Sequence, residues 1–202
     1  MLIILLIYLD FYLQLAVDFT TNLNRRHYRK KLVQALYNVP RTRADLLPLY
    51  SRLVAVLNPV MPDVGTELSE AIRRQFRWLV KRQDPLRLES KLRNVRFMAE
   101  LTKFGVFSRA QCLLGLKILL NNFKHHNVEM ACTLLESAGR FLYWSTDSHP
   151  RMIVLLDELL RRKTLRLFDA RIEYMIENAY LSCCTPETAG RRTASNKVQS
   201  EK

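Results

Sequence analysis

The chain has 202 residues, 49% of them hydrophobic and 25% charged, enough for one domain with its own core, so disorder throughout is excluded. Only 5 glycines and 7 prolines argue against turn-rich β sandwiches and barrels and against folds that cradle nucleotides in glycine loops, which leaves an all-helical chain. Lys and Arg number 32 against 19 Asp and Glu, and the net charge of +13 favours polyanions or acidic protein surfaces as partners.

Met1 to Leu9 is almost purely apolar, and the pattern continues through Phe11, Leu13, Leu15 and Val17. Asp10 and Gln14 interrupt it before it reaches the roughly 20 apolar residues of a membrane span, and no basic stretch precedes it as in a signal peptide. The first reading is a packed terminal helix. The rival is a membrane tether formed by residues 1–17, with Arg25, Arg26, Arg29, Lys30 and Lys31 as its cytoplasmic flank.

From about residue 29 onward, apolar residues recur at helical spacing between short punctuators. Leu46, Leu49 or Tyr50, Leu53 and Leu57 make one stripe, with Asp45 as its expected cap and Pro48 in the first turn, where no backbone N–H is needed. Pro59 and Pro62 end it. The next helix is expected from near Asp63 to Gln83, and Asp84–Pro85 starts another, whose inner face is Leu92, Val95, Met98 or Ala99 and Thr102 and which stops at Gly105. Ser108 and Gln111 read as a capping box ahead of Leu113, Leu116, Leu120 and Phe123. After a break at residues 121–126, Met130, Leu134, Leu135, Ala138 and Leu142 form another buried face. Asp147 to Pro150 opens a helix carrying Ile153, Leu156 and Leu160, and the last helix carries Ile172, Met175, Ile176 and Tyr180. Helices of this length with short links predict a HEAT-like α-solenoid of stacked antiparallel hairpins, with a compact bundle as the alternative. The expected division is an apolar segment at 1–15, a helical-repeat domain at 16–184 and a disordered basic tail at 185–202, where apolar residues almost vanish.

Catalytic signatures such as GxGxxG, GxxxxGK[ST], HExxH and GxSxG do not occur, so no catalytic residue and no cofactor are assigned. Cys112, Cys132, Cys183 and Cys184 lack CxxC spacing and read as free thiols of a reducing compartment. His125 and His126 are sequence neighbours that point to different helix faces, so no metal site is assigned; they are expected in a helix-entry loop, bonded to backbone.

The bases do show organisation. Ten bases and three acids lie between Arg73 and Lys103, more than half of the chain's excess. Arg73, Arg77 and Lys81 repeat at i, i+4 and i+8 with no acid expected to pair with them, and Arg74, Arg82, Arg87 and Lys91 extend the candidate surface for RNA or an acidic partner. The bland reading is a solvated face that keeps a basic protein soluble. Only Phe76 and Trp78 interleave with these bases, and Phe76 reads as core, which gives a base-stacking platform little support.

Four segments carry a resemblance: Val39-Pro40-Arg41-Thr42-Arg43-Ala44-Asp45-Leu46-Leu47-Pro48, Arg96-Phe97-Met98-Ala99-Glu100-Leu101-Thr102-Lys103-Phe104, His125 to Glu136 continuing through Gly139-Arg140-Phe141-Leu142, and Asp169-Ala170-Arg171 with Glu177-Asn178-Ala179-Tyr180. Together they resemble the family named after the middle domain of eukaryotic initiation factor four-gamma, in the branch formed by the up-frameshift scaffolds of nonsense-mediated mRNA decay, and within it the second of three helical modules. The resemblance implies a HEAT-like stack and a non-enzymatic adaptor that links exon-junction and up-frameshift factors. It also implies a cytoplasmic setting, with a perinuclear one as the option beside it, neighbouring helical modules as partners, and no small-molecule substrate. In that family the contact to the up-frameshift 3 adaptor belongs to the third module, so the middle module is expected to act as a spacer packed on its neighbours. Met1 to Leu15 departs from the family pattern, which suggests a fragment or an altered start. The motif residues Arg41, Arg43, Asp45, Arg96, Glu100, Glu129, Arg140, Asp169 and Arg171 are expected to be structural, as ion pairs and caps between helix layers rather than ligand contacts.

Overall fold

The computed structural model describes residues 14–82 and 84–185. The apolar run at 1–13 and the tail at 186–202 lie outside the described residues, so the readings of an anchor and of a disordered tail fall beyond them. No helix among the described residues is long and apolar enough to cross a membrane.

The described residues form helices and no strand. Residues 14–22 make α1, followed by α2 (Arg26–Tyr37), α3 (Leu47–Leu57), α4 (Pro62–Lys81), α5 (Leu88–Lys103) and α6 (Arg109–Asn121). Then come α7 (His125–Leu134), a π turn (Leu135–Gly139), α8 (Arg140–Trp144), α9 (His149–Thr164) and α10 (Ala170–Cys184). Single 3-10 segments precede α3 (Arg41–Leu46) and α5 (Pro85–Arg87).

Contacts arrange these helices as a two-layer stack. One layer runs α3, α5, α7, α10, each touching the next, while α2 packs on α4 and α6 on α9 in the other. Successive helices α4 and α5, α6 and α7, and α9 and α10 close the hairpins between layers, the HEAT-like arrangement expected from the spacing. Burial follows position. Helix α4 buries one stripe, Val64, Leu68, Ile72, Phe76 and Leu79, because it faces the stack on one side only. Helix α5 touches α3, α4, α6 and α7, so even Lys91, Asn94, Glu100 and Thr102 are buried along with Val95, Met98 and Leu101.

Helix ends depart from several expectations. Asp45 does not cap α3; the backbone breaks at Arg43 (φ −108°, ψ 45°), and the Asp45 carboxylate pairs with the Arg43 guanidinium at 3.2 Å instead. Pro62 starts α4 rather than ending α3, since the first turn of a helix has no N–H acceptor to lose. Ser108 makes no side-chain cap bond to α6. Gly105 does end α5 as expected, at φ 76°, a left-handed conformation that only glycine adopts cheaply. In α9 the buried stripe is Met152, Leu156 and Leu159, which leaves Ile153 37% exposed. The two stripes share Leu156 and differ by one residue at their other two positions, and packing against α6, α8 and α10 chooses between them.

The π turn is a local adaptation to α10. An ideal Cβ on Gly139 would overlap the Cys183 sulfur, so the bare backbone lets α10 approach closely. The Cys183 thiol donates to the Ala179 carbonyl at 3.1 Å. Burial pushes the thiols of Cys112, Cys132 and Cys183 up to about 11, about 12 and about 12, which suits space-filling rather than nucleophilic roles.

Candidate nucleic-acid interface

The stripe that α4 buries determines which of its side chains face outward. With Ile72, Phe76, Leu79 and Val80 turned inward, Arg74, Arg77, Trp78, Lys81 and Arg82 share the exposed face. No carboxylate among the described residues pairs with Arg74, Arg77 or Lys81. Arg73 corrects the expectation of an unpaired row, because its guanidinium donates to Glu70 at 2.9 Å, one turn earlier, and is half-buried. The outward cationic row is therefore Arg74, Arg77 and Lys81, spaced i, i+3 and i+7.

Trp78 lies in this row, 41% exposed. The Arg82 and Arg87 guanidinium carbons are 4.6 Å and 4.8 Å from the Trp78 ring centroid, within cation–π range. Asp84 brings Arg87 there. Its Oδ1 accepts the Leu86 N–H at 3.0 Å, fixing the 3-10 turn, and its Oδ2 accepts from Arg87 Nε at 3.0 Å. The Asp84–Pro85 pair marked a helix start in the sequence, but nothing there indicated that the turn folds an arginine back onto an indole nine residues away. The result is an indole with two guanidiniums stacked over it beside a row of three cations, which offers sites for phosphates.

Lys91 is not part of this surface, contrary to the sequence reading. It is 0% exposed, and its Nζ donates to the Arg82 carbonyl at 2.6 Å, just past the C-terminal end of α4. Burial lowers the affinity of its amine for a proton, and the negative charge of Asp84 works in the other direction. A cation at this point satisfies a carbonyl and the negative end of the helix dipole.

The family-motif residues are scattered. The Arg41 side chain lies outside those described. Arg43 and Asp45 pair locally and are exposed, and hydrogen bonding from Arg43 holds the Asp45 carboxyl below the usual carboxylate range. Glu100 is buried and pairs with Lys103 at 2.8 Å. Arg96 departs from the expected ion pair: it is exposed, and no carboxylate among the described residues pairs with it, because the carboxylate one turn on turns inward to Lys103. Glu129 of α7 and Arg171 of α10 do join two helices, at 2.6 Å, while Glu129 Oε2 is buried without a partner among the described residues. Asp169 occupies the cap position of α10, through its backbone carbonyl rather than its side chain. Arg140 lines a cleft with Glu136, Phe141 and Trp144.

His125 and His126 form the first turn of α7 rather than a loop, and the His126 Nδ1 is buried without a partner among the described residues. Burial first, then the positive charges of Lys91 and His125, push the His126 imidazole below its usual range, against the pull of Glu129. The unfolded chain then takes up a proton near the ordinary histidine value of 6.5 and the folded one only at lower pH. Stability from this group is complete above that value and is lost as pH falls below it. Melting scans at pH 7.5 and 5.5 should show a drop on acidification that His126→Gln reduces; equal drops in both proteins would assign the sensitivity elsewhere.

The sequence pattern of the MIF4G domain matches residues 10–183. The protein called regulator of nonsense transcripts 2 is 50% identical over 171 residues in both Mus musculus and Homo sapiens, covering 85% of this chain and 14% and 13% of those proteins. Regulator of nonsense transcripts UPF2 of Arabidopsis thaliana is 43% identical over 178 residues, 88% of this chain and 15% of the plant protein. The chain thus spans a small part of the length of these relatives.

Proposed function

The chain belongs to the MIF4G domain family, and from that premise we propose that it is a helical module of a non-enzymatic scaffold in nonsense-mediated mRNA decay. The observation that carries this reading is the 50% identity to regulator of nonsense transcripts 2 over 85% of the chain. Half-identity over a whole domain preserves the packing layers and the surface shape built on them. The module works through protein contacts with other decay factors and with neighbouring modules of the same scaffold, in the cytoplasm. The α4 face adds a salt-sensitive contact to RNA. Arg74, Arg77 and Lys81 meet phosphates without first breaking ion pairs, and Arg82, stacked on Trp78, extends the row.

The test has two arms. In cells lacking the human relative, a version of that protein carrying this chain in place of its matching segment should restore rapid decay of a premature-stop reporter. A folded chimera that leaves the reporter stable refutes the scaffold assignment. In vitro, single-stranded RNA is titrated against the full chain across a salt series. Changing Arg74, Arg77 and Lys81 to glutamate should weaken binding and flatten the log–log salt slope by up to about 2, at roughly 0.7 per lost phosphate contact. Identical slopes would remove RNA from the proposal and leave the protein contacts standing.

A further inference from the structure

Farther along the chain than the α4 row, α6 and α9 pack side by side and leave a groove of about 460 Å³ between them. This falls within the roughly 300–1,000 Å³ range of recognition pockets. The more buried Leu113 and Leu155 line it together with the exposed Leu114, Val154, Lys117 and Arg151. Leu114 is 51% and Val154 66% exposed, so apolar surface faces water here without a partner in the fold.

We propose that this groove docks an amphipathic helix of a partner protein, with apolar residues on its inner face and carboxylates along its flanks. Helix is the form that fits. The backbone groups of α6 and α9 are already bonded within their own helices, so an extended peptide would bury N–H and C=O groups against nothing. A helix arrives with its backbone satisfied, and its side-chain ridge enters the furrow between the i, i+3/i+4 rows at 113, 114 and 117 and at 151, 154 and 155.

Charge selects the partner. Neither Lys117 nor Arg151 pairs with a carboxylate among the described residues, and the nearby Asp147 is held by Arg109 at 3.1 Å. Two unpaired cations beside an apolar strip recruit carboxylates at the edges of the incoming helix. A second copy of this chain docking through the same face would instead set Lys117 and Arg151 against themselves. Residues 186–202 bring four bases against two acids and are no better suited.

The experiment uses the full chain and three labelled peptides of about 18 residues, or five helical turns, read by fluorescence anisotropy. The first has leucines on one face and glutamates beside them, the second replaces glutamate with lysine, and the third permutes the first so that no apolar face forms. The first should bind best. Leu114→Ser combined with Val154→Ser, both at exposed positions, should weaken it about tenfold. Lys117→Glu with Arg151→Glu should shift preference to the lysine peptide. Melting curves of each variant confirm folding. Equal binding of the permuted peptide, absence of binding, or unchanged affinity in either folded variant overturns the proposal. So does sedimentation as a dimer that the serine variant dissociates, which would assign the groove to a second copy.

Discussion

Lys91→Glu is expected to melt about 6–20 °C below the parent chain. Lys91 has no exposed surface and places its ammonium 2.6 Å from the Arg82 carbonyl. Glutamate sets a carboxylate against that same oxygen in a site that water does not reach. Removing one partner of a buried charged contact costs roughly 3–5 kcal/mol, and a domain of this size loses about 2–4 °C per kcal/mol. Lys91→Met separates the contributions: it keeps the packing of the stem but leaves the Arg82 carbonyl unpaired, a loss of about 1–3 kcal/mol. Were Lys91 on a solvated face, as its place among the other bases suggests, either change would stay within about 0.5 kcal/mol. Thermal melts followed by circular dichroism decide between these positions, and an unchanged melting temperature in Lys91→Glu would return the residue to the surface. The outcome also bears on RNA binding, because a Lys91 variant that loses RNA would have lost its fold first.

The second large effect is a change of sign at Gly139. Replacing a mid-helix glycine with alanine normally stabilises by up to about 1 kcal/mol through backbone entropy. Here the new Cβ meets the Cys183 sulfur and lies 3.5 Å from Leu135. Neither neighbour is free to yield, since Cys183 is buried in α10 and Leu135 in the π turn. Gly139→Ala should therefore destabilise by about 1–3 kcal/mol, the usual cost of overpacking a core, or roughly 2–12 °C. In a Cys183→Ala background the sulfur is gone, and the same substitution should become neutral or stabilising. A double-mutant cycle of melting temperatures measures this coupling. Stabilisation by Gly139→Ala in the parent chain would show that the approach of α10 is not what the glycine serves.

Helix order and layer type were readable in the sequence because periodic apolar residues and proline or glycine punctuation are local properties, whereas α2 and the division of α7 from α8 by the π turn were not read. The helix that became α4 was expected from near Asp63 to Gln83 with Phe76 in its core, and Gly105 was read as the stop of the next helix, as the structure has it. The motif blocks pointed to the MIF4G family for a similar reason, as they reproduce local side-chain order. The same local information, with its excess of bases between residues 73 and 103, located the cationic surface without resolving its members.

Tertiary structure decided which charges reach water and which helix faces remain bare. Lys91 and Arg74 look alike in sequence, but α5 is enclosed by four neighbours whereas α4 faces outward, so one lysine goes into the core and one arginine to solvent. In α9, Ile153 and Met152 are near equals by hydropathy, and only packing against α6, α8 and α10 chose Met152 for the core; Val154 was left exposed along the groove. The fold of Asp84 and Arg87 back onto Trp78 likewise depends on a turn closing in space. The reason is common to these cases: periodicity reports the local geometry of one helix, while burial depends on how many other helices surround it.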